Sequence, residues 1–213
     1  MENKRWGRTL IVAGFALAVA GTILAWRAMV APRPPAGIPQ AQTRSATVLR
    51  DDKPLPAFDF ARAGGLRFTN GDLDGRWTFL FFGYTHCPDI CPTALALMAR
   101  VKAGVVERKG PAPQVAFVSV DAKRDTPELL AQYVPHFDPS FVGAVGDDAA
   151  LAALVKHLGV YYVRHDKAGD AHYPVDHTAA IYLIDTKGRL LAVFSAPQEA
   201  GRMVDDYLAL TGG

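Results

Sequence analysis

Short apolar runs bounded by glycine, proline and charged residues recur along the chain from Leu55 to its end. Runs of this kind that are rich in valine, isoleucine and phenylalanine predict buried β-strands. The strands predicted in this way are Thr78–Phe82, Val115–Val120, Phe141–Val145, Ala179–Asp185 and Leu190–Phe194. Between Leu55 and Trp77 the apolar positions are shorter and interrupted by Gly-containing turns, which predicts a small β extension ahead of the main strands.

Helical patterns separate most of these strands. The predicted helices are Pro92–Val106, Thr126 to about Phe137, Asp147 or Asp148 to near Gly159, and Pro197–Leu210. Two hairpins are also predicted, one pairing Tyr161–Arg164 with Ala171–Val175 and one formed by the last two strands. Strands that alternate with helices and end in a hairpin and a closing helix have the element order of a thioredoxin-like α/β fold. The sequence therefore predicts that fold, with an N-terminal β extension and a β-hairpin insertion.

The N-terminal pattern is different. Thr9–Trp26 carries no charge and is almost wholly apolar, so as a helix of about 27 Å it predicts a transmembrane anchor. The alternatives are a cleaved signal peptide and a buried helix, but no small-x-small cleavage site follows. Basic residues in the tail 1–8 favour a cytoplasmic N-terminus and a periplasmic domain on a bacterial-type inner membrane. Residues 27–50, rich in proline and alanine, predict a tether, and residues 51–213 the folded domain.

The charge and the cysteine content of the chain give no support to two classes of protein, those that bind nucleic acids and those held together by disulfides. The formal net charge is only +2 and there is no long basic run, so nothing indicates nucleic-acid binding. The chain has two cysteines, too few for a disulfide scaffold, and a domain of about 150 residues buries roughly 70% of its unfolded surface without one.

The two cysteines, Cys87 and Cys91, follow the first main strand and precede a helix. Pro88 and Pro92 are expected to keep both thiols on the strand-to-helix turn and outside the core, with Pro92 as the first helical residue. Thiols at a helix N-terminus ionise easily, and a thiolate is both a nucleophile and a soft metal ligand. The alternatives are inert core cysteines, a structural disulfide and a redox dithiol. The three-residue spacing, one longer than in C-x-x-C redox motifs, leaves room for an ion.

His177 favours the metal hypothesis. It lies just before the strand Ala179–Asp185, where the loop of a thioredoxin-like fold faces the dithiol. One imidazole and two thiolates form a soft three-coordinate set that suits Cu(I) and accepts Cu(II). His86 is a candidate fourth ligand that we expect to face solvent. The remaining histidines are expected to be surface residues (His136, His157, His165 and His172), and Met98 and Met203 to be core residues.

Three separated motifs resemble the Sco/SenC family. They are Gly83–Pro92, Val118–Asp121 with Arg124–Pro127, and Val175–Thr178 with Tyr182–Asp185. Proteins of this family are membrane-anchored, thioredoxin-like copper proteins that help to assemble the copper centre of cytochrome c oxidase subunit II. The resemblance covers the chain from about residue 52 onwards.

The resemblance implies a copper chaperone rather than an enzyme, with Cys87, Cys91 and His177 as the copper ligands. Asp176 would be a neighbour of the ligand set and Asp121 a support at the end of a strand. The implied partners are oxidase subunit II, a periplasmic copper donor and a thioredoxin-like reductant. The alternative is a thiol–disulfide reductase, acting through Cys87 and Cys91, that keeps the cysteines of the oxidase copper site reduced.

Overall fold

A computed structural model describes residue 26 and residues 43–49, 52–167 and 172–212. Ten strands form within these residues, eight of them in one sheet with the order β1-β10-β9-β4-β5-β6-β2-β3 and two, β7 and β8, in a separate hairpin. The strands are β1 (Ala46–Val48), β2 (Asp59–Ala61), β3 (Arg67–Thr69), β4 (Thr78–Gly83), β5 (Gln114–Ser119), β6 (Val142–Val145), β7 (Tyr162–Arg164), β8 (Val175–His177), β9 (Ile181–Ile184) and β10 (Leu190–Phe194).

Within residues 43–212, the described segments contain four α-helices besides the strands: α1 (Ile90–Glu107), α2 (Pro127–Tyr133), α3 (Asp148–Leu158) and α4 (Ala200–Thr211). Strands β4, β5 and β6 are parallel, and β9 and β10 run antiparallel to their neighbours. This mixed sheet, with helices between its parallel strands, is the thioredoxin-like arrangement that the sequence predicts. The antiparallel pair β2–β3 at one edge is the predicted N-terminal extension, and β7–β8 is the predicted insertion.

Strand β4 lies at the centre of the core, and every one of its residues is buried. Its apolar residues point alternately to the two faces of the sheet. Phe79 packs against Tyr207 of α4, at a ring-centroid distance of 5.4 Å, and Phe82 packs against Tyr182 of β9, at 6.0 Å. A strand that is covered on both faces has little freedom to shift. Its C-terminal end therefore holds the start of the following loop in a fixed position.

The sheet begins earlier than predicted, because β1 lies inside the segment assigned to the tether (27–50) and pairs with β10. The carboxylate of Asp206, in α4, accepts hydrogen bonds from the backbone N–H groups of Arg44, Ser45 and Ala46 at 2.7–2.8 Å. The boundary at residue 51 was therefore placed too late. The segment was assigned to the tether because of its composition. Its hydrogen-bond partner, Asp206, lies some 160 residues further along the chain, so the local sequence does not reveal the pairing.

Two of the boundaries that differ from the prediction lie next to the cysteines and His177. Helix α1 begins at Ile90 and not at Pro92, so Cys91 is helical; a proline in the first turn is tolerated because the N–H groups there have no helical partner. The second strand of the hairpin is Val175–His177 and not Ala171–Val175, so His177 lies on a strand opposite Tyr162.

The predicted anchor (9–26) and most of the predicted tether lie outside the described residues, apart from Trp26 and residues 43–49. Within the part of the chain that the structure describes, no helix combines the length and the apolar character needed to cross a bilayer.

Candidate metal centre

The loop between β4 and α1 carries both cysteines. The N–H of Cys87 donates to the carbonyl of Tyr84 at 3.3 Å, which closes a turn directly after the strand. The N–H of Cys91, in the first turn of α1, donates to Sγ of Cys87 at 3.4 Å. Backbone N–H groups at a helix N-terminus have no helical partner and favour negative charge. The first turn of α1 therefore stabilises a thiolate at Cys87.

Cys91 is fully buried, whereas Cys87 is partly exposed, and both are free thiols. The expectation that neither thiol belongs to the core is therefore wrong for Cys91. Its sulfur lies so close to the end of β4 that a Cβ on Gly83 would lie 2.7 Å from Sγ and 2.8 Å from the Phe117 ring. Strand β4 ends in glycine because only a residue without a side chain admits the Cys91 thiol at this position.

His177 reaches the cysteines from the β7–β8 hairpin. Its Nε2 lies 3.4 Å from Sγ of Cys91. Its Nδ1 lies 3.2 Å from the carbonyl oxygen of Thr178. A carbonyl can only accept, so this contact places a proton on Nδ1 and leaves Nε2 as the ring nitrogen that faces the site. The rings of Phe81 and Tyr84 pack edge-on against the imidazole, with centroids 6.0 and 5.9 Å away, and fix its orientation.

Together, Cys87, Cys91 and His177 place two sulfur atoms and one imidazole nitrogen within 4.8 Å of one another. Among the described residues this is the only set of three or more histidine, cysteine or acidic side chains with that geometry. Two thiolates and an imidazole form a soft donor set, which copper and zinc accept and hard cations such as Mg²⁺ and Ca²⁺ do not favour. The three residues that the sequence singled out are therefore brought together in space.

Comparison with known proteins identifies the family. A sequence model described as SCO1/SenC matches residues 48–211, which is most of the chain. The chain belongs to the SCO1/SenC family.

Its relatives include mitochondrial SCO1 homolog 1 of Arabidopsis thaliana, 32% identical over 148 residues that make up 70% of this chain and 44% of that protein. A SCO2-like protein of Rickettsia felis is 35% identical over 146 residues, 67% of this chain and 71% of that protein. The crystal structure of Arabidopsis thaliana ScoI with copper bound superposes with a TM-score of 0.69 at 30% identity, covering 74% of this chain and 98% of that one. The chain thus spans less than half of one of these curated relatives.

The two thiols of this Sco-family site differ in acidity. The pKa of Cys87 is lowered to about 3, first by its hydrogen bond with the Cys91 thiol and then by those with His177 and the backbone N–H groups, while burial opposes the shift. The pKa of Cys91 is raised, by the same bond to Cys87 and by burial. One proton is thus shared unequally: Cys87 is the thiolate and Cys91 keeps its hydrogen.

This asymmetry predicts the pH dependence of thiol alkylation in the metal-free, reduced protein. Because only the thiolate reacts, and the pKa of Cys87 is lowered, its alkylation rate by iodoacetamide should stay nearly constant from about pH 8 down to about pH 5. An ordinary thiol with a pKa of about 8.5 would lose roughly tenfold per pH unit over that range. Cys91 should remain unmodified, as mass spectrometry of the digest would show. A tenfold loss per unit at Cys87 would contradict the assignment.

Other residues singled out in the sequence lie outside the cluster. His86 is exposed, as expected, and its Nδ1 contacts the Thr85 hydroxyl at 3.0 Å. Asp176 is the sequence neighbour of His177, and its exposed carboxylate pairs with His165 at 2.8 Å. Asp121 is fully buried and lies two residues after the end of β5. His136, His165 and His172 are exposed, Met98 and Met203 are buried in the core, and His157, expected at the surface, is half-buried.

Sequence reasoning missed two residues next to the site. Tyr84 packs on the His177 ring, and its hydroxyl lies 3.4 Å from the N–H of Val175 in the hairpin. Asp125 is buried and accepts hydrogen bonds from Thr85, two residues before Cys87. A buried carboxylate is costly unless its bonds are satisfied. Both residues lie inside motifs that resemble the family, Gly83–Pro92 and Arg124–Pro127, but the sequence alone assigns neither of them a role.

Proposed function

We propose that this chain is a copper chaperone that binds one copper ion through Cys87, Cys91 and His177 and delivers it to the copper centre of cytochrome c oxidase subunit II. The observation that carries the proposal is the soft three-atom cluster. Copper bound in the solved structure of the Arabidopsis relative supports the same use of the site here. Copper is cargo in this scheme, so the site must both hold the ion and release it.

The unequal burial of the ligands suggests how release proceeds. Cys91 is fully buried and His177 is half-buried, whereas Cys87 is the partly exposed thiolate. An incoming ligand from the recipient therefore reaches the copper from the Cys87 side and displaces this sulfur first. Cys91 and His177 hold the ion until the recipient has supplied a second ligand. Ligand exchange of this kind changes no oxidation state and needs no co-reactant.

Copper stoichiometry tests this proposal. The reduced full chain, purified in detergent, should take up one equivalent of Cu(I) in competition with a chromophoric Cu(I) chelator. With Cu(II) it should give a thiolate-to-copper charge-transfer band, because soft thiolates bind both oxidation states. A chain that leaves all Cu(I) with a weak chelator would refute the chaperone proposal.

The second candidate is a thiol–disulfide reductase for the cysteines of the same oxidase subunit, favoured by the pairing of an accessible thiolate with a buried thiol. The Cys87 thiolate would attack the substrate disulfide, and one substrate sulfur would leave as a thiolate. Cys91, once deprotonated, would then attack Sγ of Cys87 and release the second substrate thiol. Two electrons would thus pass to the substrate, and Cys87 and Cys91 would be oxidised to a disulfide. A thioredoxin-like reductant would have to reduce this disulfide again.

We also propose that Thr9–Trp26 is a retained anchor that keeps the domain on the periplasmic side of the inner membrane, where a periplasmic copper donor could reach it. The support is the uncharged apolar run and the basic residues before it. The full chain should fractionate with membranes and keep its N-terminus, as N-terminal sequencing would show. A soluble form that starts near residue 30 would identify a cleaved signal peptide instead.

A further inference from the structure

We infer that the loop after β5, residues 121–125, positions both halves of the metal site although it supplies no ligand. Asp125 holds the segment that leads into Cys87, and Asp121 holds the hairpin that carries His177. Cys91 and His177, whose side chains are in contact, are 86 residues apart in sequence. Some part of the fold must therefore set the distance between the cysteines and the histidine. The inference rests on the proposed copper function, but the contacts that support it are contacts of the metal-free protein.

Asp125 acts on the cysteine side. Its side chain is buried, and Oδ2 accepts from the backbone N–H of Thr85 at 3.0 Å while Oδ1 accepts from the Thr85 hydroxyl at 2.5 Å. The Ser119 hydroxyl donates to Oδ2 at 2.6 Å. Two of these three bonds fix a single residue, located two positions before Cys87 and immediately after the buried strand β4. The carboxylate thereby determines the direction in which the chain leaves the sheet towards the first thiol.

Asp121 acts on the histidine side. Its carboxylate is fully buried and accepts from the Tyr173 hydroxyl at 2.7 Å, two residues before β8. Arg164, the last residue of β7, lies 3.6 Å from the same carboxylate and donates through Nε to the carbonyl of Val120 at 2.8 Å. The end of the hairpin where Arg164 pairs with Val175 is thus held at the start of the loop. His177 lies two residues further along β8, so these bonds fix the start of the strand that carries it.

The two carboxylates belong to one bonded unit. The N–H of Asp121 donates to Oγ of Ser119 at 3.0 Å, and that hydroxyl donates to Asp125. The N–H of Asp125 donates to the carbonyl of Asp121 at 2.9 Å. Arg124, between them, donates to the Asp121 carboxylate at 2.5 Å and lies 3.6 Å from the centroid of the Tyr173 ring. A displacement on one side of the unit is therefore transmitted to the other.

Two other buried carboxylates show what a merely structural role looks like. Asp206 accepts four hydrogen bonds, all from residues 44–46 at the start of β1. Asp185 binds residues 187–189 in its own turn. By contrast, the bonds of Asp121 and Asp125 go to the two segments that carry metal ligands. Asp206 therefore provides a matched control of similar burial and bond count that touches neither segment.

The test compares Asp125→Asn, Asp121→Asn and Asp206→Asn in the reduced full chain. Each change keeps the size of the side chain but replaces an acceptor oxygen by an N–H donor group. Loss of a group that is hydrogen-bonded to a metal ligand typically weakens metal affinity by about 10- to 100-fold. Asp125 and Asp121 bond to residues two and four positions before a ligand, so the lower end of that range applies. We expect that loss of Cu(I) affinity for Asp125→Asn and Asp121→Asn, and a change of no more than about twofold for Asp206→Asn, although all three should lower the unfolding midpoint.

Amide hydrogen exchange in the metal-free chain localises the effect. Asp125→Asn should speed exchange at residues 85–87, Asp121→Asn at residues 175–177, and Asp206→Asn at neither. Because this readout needs no copper, it tests the positioning role even if the parent chain proves not to bind the metal. If both loop variants keep the copper affinity and the exchange pattern of Asp206→Asn, the loop is only a structural support and the inference fails.

Milder variants keep the test decisive if a buried asparagine prevents folding. Thr85→Val removes one hydroxyl bond to Asp125, and Tyr173→Phe removes the hydroxyl bond to Asp121, without placing a new polar group in the interior. Each should weaken Cu(I) binding and shift the Cu(II) charge-transfer band. Ser45→Ala, which removes the hydroxyl bond to Asp206, should do neither. Parent-like copper affinity in both milder variants would overturn the inference.

Discussion

Cys91→Ser is expected to abolish tight copper binding and to lower the stability of the fold, whereas Cys87→Ser is expected to abolish tight copper binding alone. Each change removes one soft thiolate from a three-ligand site, so each should abolish tight Cu(I) binding. Cys91, however, is fully buried between α1 and the end of β4. A hydroxyl there that finds no full set of partners destabilises the fold by about 1–3 kcal/mol, whereas Cys87 is less buried and its replacement should cost less.

Copper competition and chemical unfolding of the metal-free variants measure the two effects separately. Cys91→Ala serves as the control for packing, because it also removes the thiol but introduces no polar group. A serine variant that still bound copper tightly would show that the ion lies elsewhere. Equal losses of stability at the two positions would contradict the burial difference that the structure assigns to them.

His177→Ala is expected to separate copper delivery from disulfide reduction. The change removes a ligand but no thiol, and since loss of an outer partner alone costs about 10- to 100-fold, loss of the ligand itself should weaken Cu(I) binding by more than about 100-fold. Disulfide exchange should continue, because it depends on the Cys87 thiolate. The low pKa of that thiol arises first from Cys91 and only in second place from His177.

The deciding comparison is copper affinity against insulin-type disulfide reduction, measured on the same preparations. His165→Ala is the matched control, because His165 follows β7 in the same hairpin region but is exposed and pairs with Asp176. It should leave both properties unchanged. If His177→Ala binds copper like the parent yet fails to reduce disulfides, the copper-ligand role of His177 is wrong and the reductase function is supported.

The sequence by itself determined the elements and the candidate ligands. The apolar runs of β4, β5 and β10, the Thr126 cap of α2 and the Asp147 cap of α3 are local features, and the structure contains them within one or two residues. Local chemistry also singled out Cys87 and Cys91. The choice of His177 depended in addition on knowing where a thioredoxin-like fold places the loop before its next strand.

The tertiary structure alone decided how those residues differ from one another. The burial of Cys91 depends on Gly83 and Phe117, and the pairing of β1 depends on Asp206, some 160 residues away. The bonds of Asp125 and Asp121 to the two ligand segments join residues 40 and 52 positions apart. Hydrophobic periodicity and capping signals report on neighbours within a few turns of chain. Contacts between distant segments leave no such periodic trace, so the folded structure was needed to find them.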